Sequence, residues 1–188
     1  MSMVGECREE EGGAVSEEGE KQFTLINDDL FVKIGPRGHS IGKTFEEITL
    51  GDLKQIAICY DDDGINFIQM VYEQDGKLTL GGRHGGSVWV GDNFDSITLE
   101  QDEYLTSING GYTQFERKKA IKSLKFTTNK KTYGPFGRKE ALPFCFNFYF
   151  GSGSVCGFHG RSNGNYLVAI GVYINILSPR PQIKQVKP

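Results

Sequence analysis

The sequence predicts an all-β domain with an approximate internal repeat, on three observations. Glycine makes up 25 of the 188 residues, nearly double its usual share of ~7%, and comes with 13 Phe and 8 Tyr. Short apolar runs alternate with polar residues at a period of two, the pattern of a strand with one buried face. Turn chemistry separates these runs every ~8–12 residues, and no longer stretch carries helical periodicity.

The elements follow in order. Strand signals begin at Leu30 and lead into Lys33-Ile34-Gly35-Pro36-Arg37-Gly38. Ile56, Ile58 and Tyr60 share one face of the next clear strand, and the turn Asp61-Asp62-Asp63-Gly64 ends it. Ile68, Met70 and Tyr72 line the strand after that turn, and Asp75-Gly76 reverses the chain again. Asn109-Gly110-Gly111 reads as another turn, and Leu124 and Phe126 as a strand with Ser123 and Lys125 on its wet side. The clearest signal is Phe144, Phe146, Phe148 and Phe150, all on one face, with Cys145, Asn147 and Tyr149 on the other. Ser162-Asn163-Gly164 is the last turn, and Leu177 ends the strand signals before Ser178-Pro179-Arg180-Pro181.

Charge divides the chain the same way. Residues 1–29 hold nine acids and two bases, a formal −7 against −3 for the whole, which leaves +4 for the rest. This opening lacks apolar periodicity and is expected to be a disordered acidic tail. It shows neither the basic start nor the apolar core of a secretory signal, and Ser2 does not fit N-myristoylation. Residues 30–177 are then one folded domain, and 178–188 a short disordered basic tail. A net charge of −3 argues against nucleic-acid binding. No apolar run approaches the ~18 residues of a membrane span. Cys59, Cys145 and Cys156 sit in or beside strand-like runs without Cys-x-x-Cys spacing and read as small buried apolar residues. His39, His84 and His159 are dispersed without metal-ligand spacing, so no metal and no cofactor is expected. The expected location is the cytoplasm, with the nucleus as a second site.

Two internal echoes suggest pseudo-symmetry: Gly35-Pro36-Arg37-Gly38 with Gly134-Pro135-Phe136-Gly137, and Gly82-Arg83-His84-Gly85 with Gly157-Phe158-His159-Gly160. Three segments carry a family resemblance. They are Thr127–Gly137, Val155-Cys156-Gly157-Phe158-His159-Gly160, and Ala169-Ile170-Gly171-Val172-Tyr173-Ile174, and the opening Lys33–Gly38 supports them. Together they resemble the jacalin-related lectins over residues ~31–176. The resemblance implies a β-prism I fold, with three four-stranded Greek-key sheets about a pseudo-threefold axis and the terminal strands sharing a sheet. It also implies reversible sugar binding, and it allows a homo-oligomer.

In that family a glycine-rich first loop meets a Gly-x-x-x-Asp loop before the last strand. Glycine admits close approach, and the carboxylate accepts two sugar hydroxyls. The matching positions are Gly42 in the first loop and Gly164, Asn165, Tyr166, Leu167 and Val168 in the last. Asn165, Tyr166 and Leu167 fall where the family offers backbone amides or ring contacts. Tyr112, in the neighbouring loop, is placed to stack on a sugar. Val168 stands where the family has its aspartate, and a valine accepts nothing. Mannose- or glucose-type glycans are the expected ligands, because the galactose binders of the family need a processed amino-terminal glycine. The runs Gly82-Arg83-His84-Gly85, Phe94-Asp95-Ser96-Ile97 and Glu103–Ile108 are similar to a branch of the family in plant antiviral defence. That similarity implies the alternative, an interaction protein whose partners are viral or host proteins rather than glycans or glycoproteins. An enzyme is not expected: His84 and His159 read as residues of glycine turns at strand ends that cap the backbone. Gly81–Gly86 lacks the following Lys-Ser/Thr of a phosphate loop.

Overall fold

The computed structural model describes residues 31–86, 91–114 and 117–176. The predicted tails and the limits at Leu30 and Leu177 lie outside the described residues. Within them every named secondary-structure element is a strand. β1 (Phe31–Gly38) and β2 (Lys43–Ile48) come first, then β3 (Asp52–Asp61), β4 (Gly64–Gln74), β5 (Lys77–Gly85) and β6 (Asn93–Thr98). β7 (Leu105–Tyr112), β8 (Ile121–Thr128), β9 (Thr132–Gly137) and β10 (Phe144–Tyr149) follow, and β11 (Ser154–Ser162) and β12 (Leu167–Asn175) close the fold.

The strands form three four-stranded antiparallel sheets, ordered β1-β12-β11-β2, β5-β4-β3-β6 and β10-β7-β8-β9. In each of the last two, a fourth strand returns beside the first, which is a Greek key. The first sheet is the same key read across the chain ends, with β11, β12, β1 and β2 standing where β3 to β6 stand. Inward side chains of all three sheets meet in one core, among them Ile58, Met70, Ile108, Phe126, Phe158 and Val172. Each such side chain stabilises the fold by ~1.5–3 kcal/mol. The phenylalanine strand packs as the sequence predicts, with Phe146 and Phe148 buried and Phe144 and Phe150 half-buried.

The threefold repeat extends to single atoms. Gly38, Gly85 and Gly137 end β1, β5 and β9 with φ of +129°, +133° and +82°. A Cβ on each would run into a carbonyl oxygen near the start of the facing strand, that of Val168, Asn66 or Lys122. The same three oxygens accept the next amide along, from His39 at 2.8 Å, Gly86 at 2.7 Å and Arg138 at 2.8 Å. The first sequence echo is therefore structural, and its third member is Gly82–Gly85. The second echo is not: Gly157–Gly160 lies on β11, a different strand of its repeat.

Three further expectations are corrected. Asn109-Gly110-Gly111 lies inside β7 and makes no turn; a Cβ on Gly110 would enter the Phe146 ring and one on Gly111 the Leu142 side chain. The glycines there serve close packing. His84 and His159 lie within β5 and β11 rather than in turns. Cys59 and Cys156 are buried, whereas Cys145 is exposed on the outward side of β10.

Candidate functional site

One end of the prism gathers the loops β1–β2, β7–β8 and β11–β12, the three that hold the predicted site. Gly42 is exposed, with φ +87°, and a Cβ there would run into the Ser162 carbonyl. Arg161 Nη1 donates to the Gly42 oxygen at 3.2 Å. The first loop is thereby pinned to the end of β11, and the bond from His39 to the Val168 oxygen pins it to β12. So the two predicted loops do converge.

Their side chains do not form a polar pocket. Gly164 and Asn165 are exposed, but Tyr166, Leu167 and Val168 are buried. Val168 has no exposed surface and packs in a small cluster with Ala120 and Tyr166. The Tyr166 hydroxyl donates to Asp61 Oδ2 at 3.2 Å. Burial, followed by the Asp61 charge, pushes that hydroxyl up to about 12. The loop amides are taken as well. Asn163 Oδ1 accepts from the amides of Asn165 at 3.3 Å and Tyr166 at 2.9 Å. Its Nδ2 donates to the Lys119 oxygen at 3.0 Å, tying β11–β12 to β7–β8. Asn163 was legible only as a turn residue; the Asn-Gly pair gives no sign that its side chain would cap both amides.

Beside this closed loop lies a shallow depression of about 350 Å³, lined by Gly38, His39, Ser40, Ile41, Tyr112, Gln114 and Lys119. Tyr112 is the one predicted site residue in it. Its ring stacks on Phe144 at 5.5 Å and meets the His39 ring edge-on at 5.3 Å. His39 Nε2 is buried and has no hydrogen-bond partner among the described residues. Burial, and then the Lys119 charge, hold His39 below the usual imidazole range.

Residues 34–173 match the model of the jacalin-like lectin domain. The chain belongs to the jacalin-related lectin family. It is 36% identical over 161 residues to Protein RESTRICTED TEV MOVEMENT 1 of Arabidopsis thaliana, spanning 81% of this chain and 91% of that one. It is 32% identical over 163 residues to Jacalin-related lectin 19 of the same plant, covering 85% of each. Among solved structures it is similar to AcmJRL, a mannose-binding jacalin-related lectin from Ananas comosus. That match has a TM-score of 0.65 and 30% identity, and covers 77% of this chain and 96% of the other. The fold is thus the β-prism of the family.

In this chain the backbone of Gly42 lies against the β11–β12 loop, and Val168 offers no side-chain acceptor beside it. Glu47 on β2 accepts from Tyr72 Oη at 2.8 Å, the Gly82 amide at 2.5 Å and His84 Nε2 at 3.0 Å, and so joins two sheets. Its carboxylate has three donors already and His84 stacks on Phe45 at 4.1 Å, so the pair is a strut between edge strands. Among the described residues no group of three His, Cys, Asp or Glu side chains is placed to hold a metal.

Proposed function

We propose that this jacalin-type lectin domain serves plant antiviral defence by binding a macromolecular partner, and that it holds no free monosaccharide at Gly42 and Gly164–Val168. One observation carries the reading: the Val168 side chain and the amides of Asn165 and Tyr166 in the last loop are engaged internally. Val168 is packed away with Ala120 and Tyr166, and Asn163 occupies the amides of Asn165 and Tyr166. A monosaccharide would have to break those two bonds and still lack a carboxylate. The missing charge-assisted bonds are worth ~1.5–3 kcal/mol each, a large share of a weak lectin affinity. The 36% identity to a protein named for restricting virus movement supports the defence role.

A second reading rests on a different observation, the open depression with the unpartnered His39 Nε2. In it, a mannose- or glucose-type oligosaccharide lies across Tyr112, Gln114 and Lys119 and skips the closed loop. A glycan array with titration calorimetry separates the two. The first reading expects no heat with mannose and no array signal. Mannose binding that disappears in Gly42→Trp would overturn it. Oligosaccharide binding that survives Gly42→Trp and is lost in Tyr112→Ala would establish the second.

A further inference from the structure

The β4–β5 hairpin carries an exposed sheet edge. Asp75 and Gly76 make its two-residue turn, with φ of +52° and +74°. Gln74 therefore faces Lys77, Glu73 faces Leu78, Tyr72 faces Thr79 and Val71 faces Leu80. A two-residue turn closes on a hydrogen-bonded pair, and bonded pairs alternate with unbonded ones along an antiparallel ladder. Gln74–Lys77 and Tyr72–Thr79 are then the bonded pairs. The backbone N–H and C=O groups of Leu78 and Leu80 point the other way, away from β4. Further along the strand the Gly82 amide also leaves the sheet, and Glu47 of β2 accepts it. Leu78 and Leu80 lie beyond that cover. Tyr72 is in the core and its neighbour Thr79 shares its face, so both leucines lie on the outer face beside Val71. There they stay 64% and 66% exposed. An edge strand with backbone groups turned outward and bare leucines is a template for another strand.

The geometry points to a second copy of this chain as the occupant, its β5 pairing antiparallel with this one about a twofold axis at Thr79. Such an interface must be complementary to itself, and this strand is. Leu78 meets Leu80 of the other copy on each side of the axis. Their outward backbone groups bond to one another, and their side chains merge into one apolar patch. The Thr79 side chains meet on the axis, a favourable cross-strand pair. Charge fits as well. The same register sets Lys77 opposite Gly81 of the other copy, in an unbonded pair, where side chains lie closest. Gly81 has no side chain, and the point a Cβ would occupy there is 2.5 Å from Glu47 Oε1. Glu47 accepts from Tyr72, Gly82 and His84, and a carboxylate has room for one more donor. The Lys77 ammonium of each copy therefore meets the Glu47 carboxylate of the other. A foreign peptide would need the same alternation and a matching base, whereas a second copy brings both. Pairing of this kind makes two four-stranded sheets continuous. It lies away from the loops of the candidate site, because Gly86, just past the opposite end of β5, bridges to Gly164. Self-association is thus independent of what those loops bind.

Sedimentation velocity on the full chain tests the pairing. A reversible monomer–dimer equilibrium is expected, with Kd on the order of 1–100 μM for so small an interface. Leu80→Pro removes an edge donor without touching the ladder to β4. It is expected to weaken the dimer by about tenfold or more, with the β-sheet circular dichroism unchanged. Leu78→Lys tests the same patch should the proline variant lose its fold. Lys77→Glu, which sets like charges together, is expected to weaken the dimer too, and Lys77→Arg to preserve it. Thr79→Cys reads the register: under mild oxidation the introduced thiols of two copies should join, as peptide mass spectrometry can identify. A chain that stays monomeric up to about 1 mM overturns the inference, whether or not another protein binds the leucines. So does a dimer indifferent to both Leu80→Pro and Leu78→Lys, or one in which the Thr79→Cys thiols do not join.

Discussion

The carbonyl oxygen of Val168 accepts the amide of His39 at 2.8 Å, and the Val168 side chain is fully buried, so this position belongs to the framework of the fold. Its threefold mates, Asn66 and Lys122, are equally buried and make the same backbone bond to Gly86 and Arg138. A carboxylate at 168 would enter an apolar cluster. We therefore expect Val168→Asp to cost roughly 2–4 kcal/mol in urea unfolding, as burial of a poorly solvated charge does. It should confer no mannose affinity by calorimetry, because Asn163 still holds both loop amides. Wild-type stability together with measurable mannose binding would mean that the pocket is intact and only its acceptor is missing.

Gly38, Gly85 and Gly137 predict a graded substitution series. Each has positive φ and a carbonyl oxygen where a Cβ would sit. Gly164 has a similar backbone, φ +86°, but nothing within 4 Å of its Cβ position. Alanine at the first three should cost roughly 2–4 kcal/mol each, and at Gly164 only ~1 kcal/mol. Equal losses at all four, in chemical denaturation, would show that backbone conformation alone governs these sites.

Much of the fold was readable because strands with one buried face write their period into the sequence. Ile56, Ile58, Ile68, Met70, Leu124, Phe126 and the phenylalanine strand all show it, and all point inward. Asn109-Gly110-Gly111 misled because glycine serves turns and close packing alike, and only the Phe146 ring tells them apart. The second echo misled because a glycine-rich chain repeats short motifs by composition. At the candidate site, residue type alone shows that Val168 offers no side-chain acceptor. The capping by Asn163 and the bond from Tyr166 to Asp61 were not legible, since both depend on how three distant loops meet.

Glu47 carries a seam between two sheets. Burial would raise its carboxyl, but donors from His84, Tyr72 and Gly82 outweigh that and hold it below the usual carboxylate range. Removing the carboxylate leaves the Gly82 amide and Tyr72 hydroxyl without acceptors. Glu47→Ala is expected to cost roughly 2–4 kcal/mol, at ~1 kcal/mol or more per lost bond, and to speed hydrogen exchange in β2 and β5 before other strands. Uniform exchange across all three sheets would mean that Glu47 is not a local strut.

Acid should expose His159. The ring is 2% exposed, lies 5.0 Å from Tyr173, and its Nε2 donates to the Ile34 oxygen at 3.0 Å. Burial, then the Lys33 charge, lower it from 6.5 to about 4. Between those values the unfolded chain binds a proton that the folded chain refuses, so folding stability falls as pH drops from 6.5 towards 4. The loss is at most about 3 kcal/mol. His39 is lowered in the same direction and adds to the slope. Glu46, Glu47 and Glu103 have depressed carboxyls against a usual 4.5, so their contribution is complete above that value and is lost only in stronger acid. The window from 6.5 down to 4.5 therefore belongs to the histidines. Thermal unfolding through it should show a falling Tm in the native chain and a much shallower fall in His159→Gln, whose amide can still donate to Ile34. Identical slopes in the two proteins would place the acid sensitivity elsewhere.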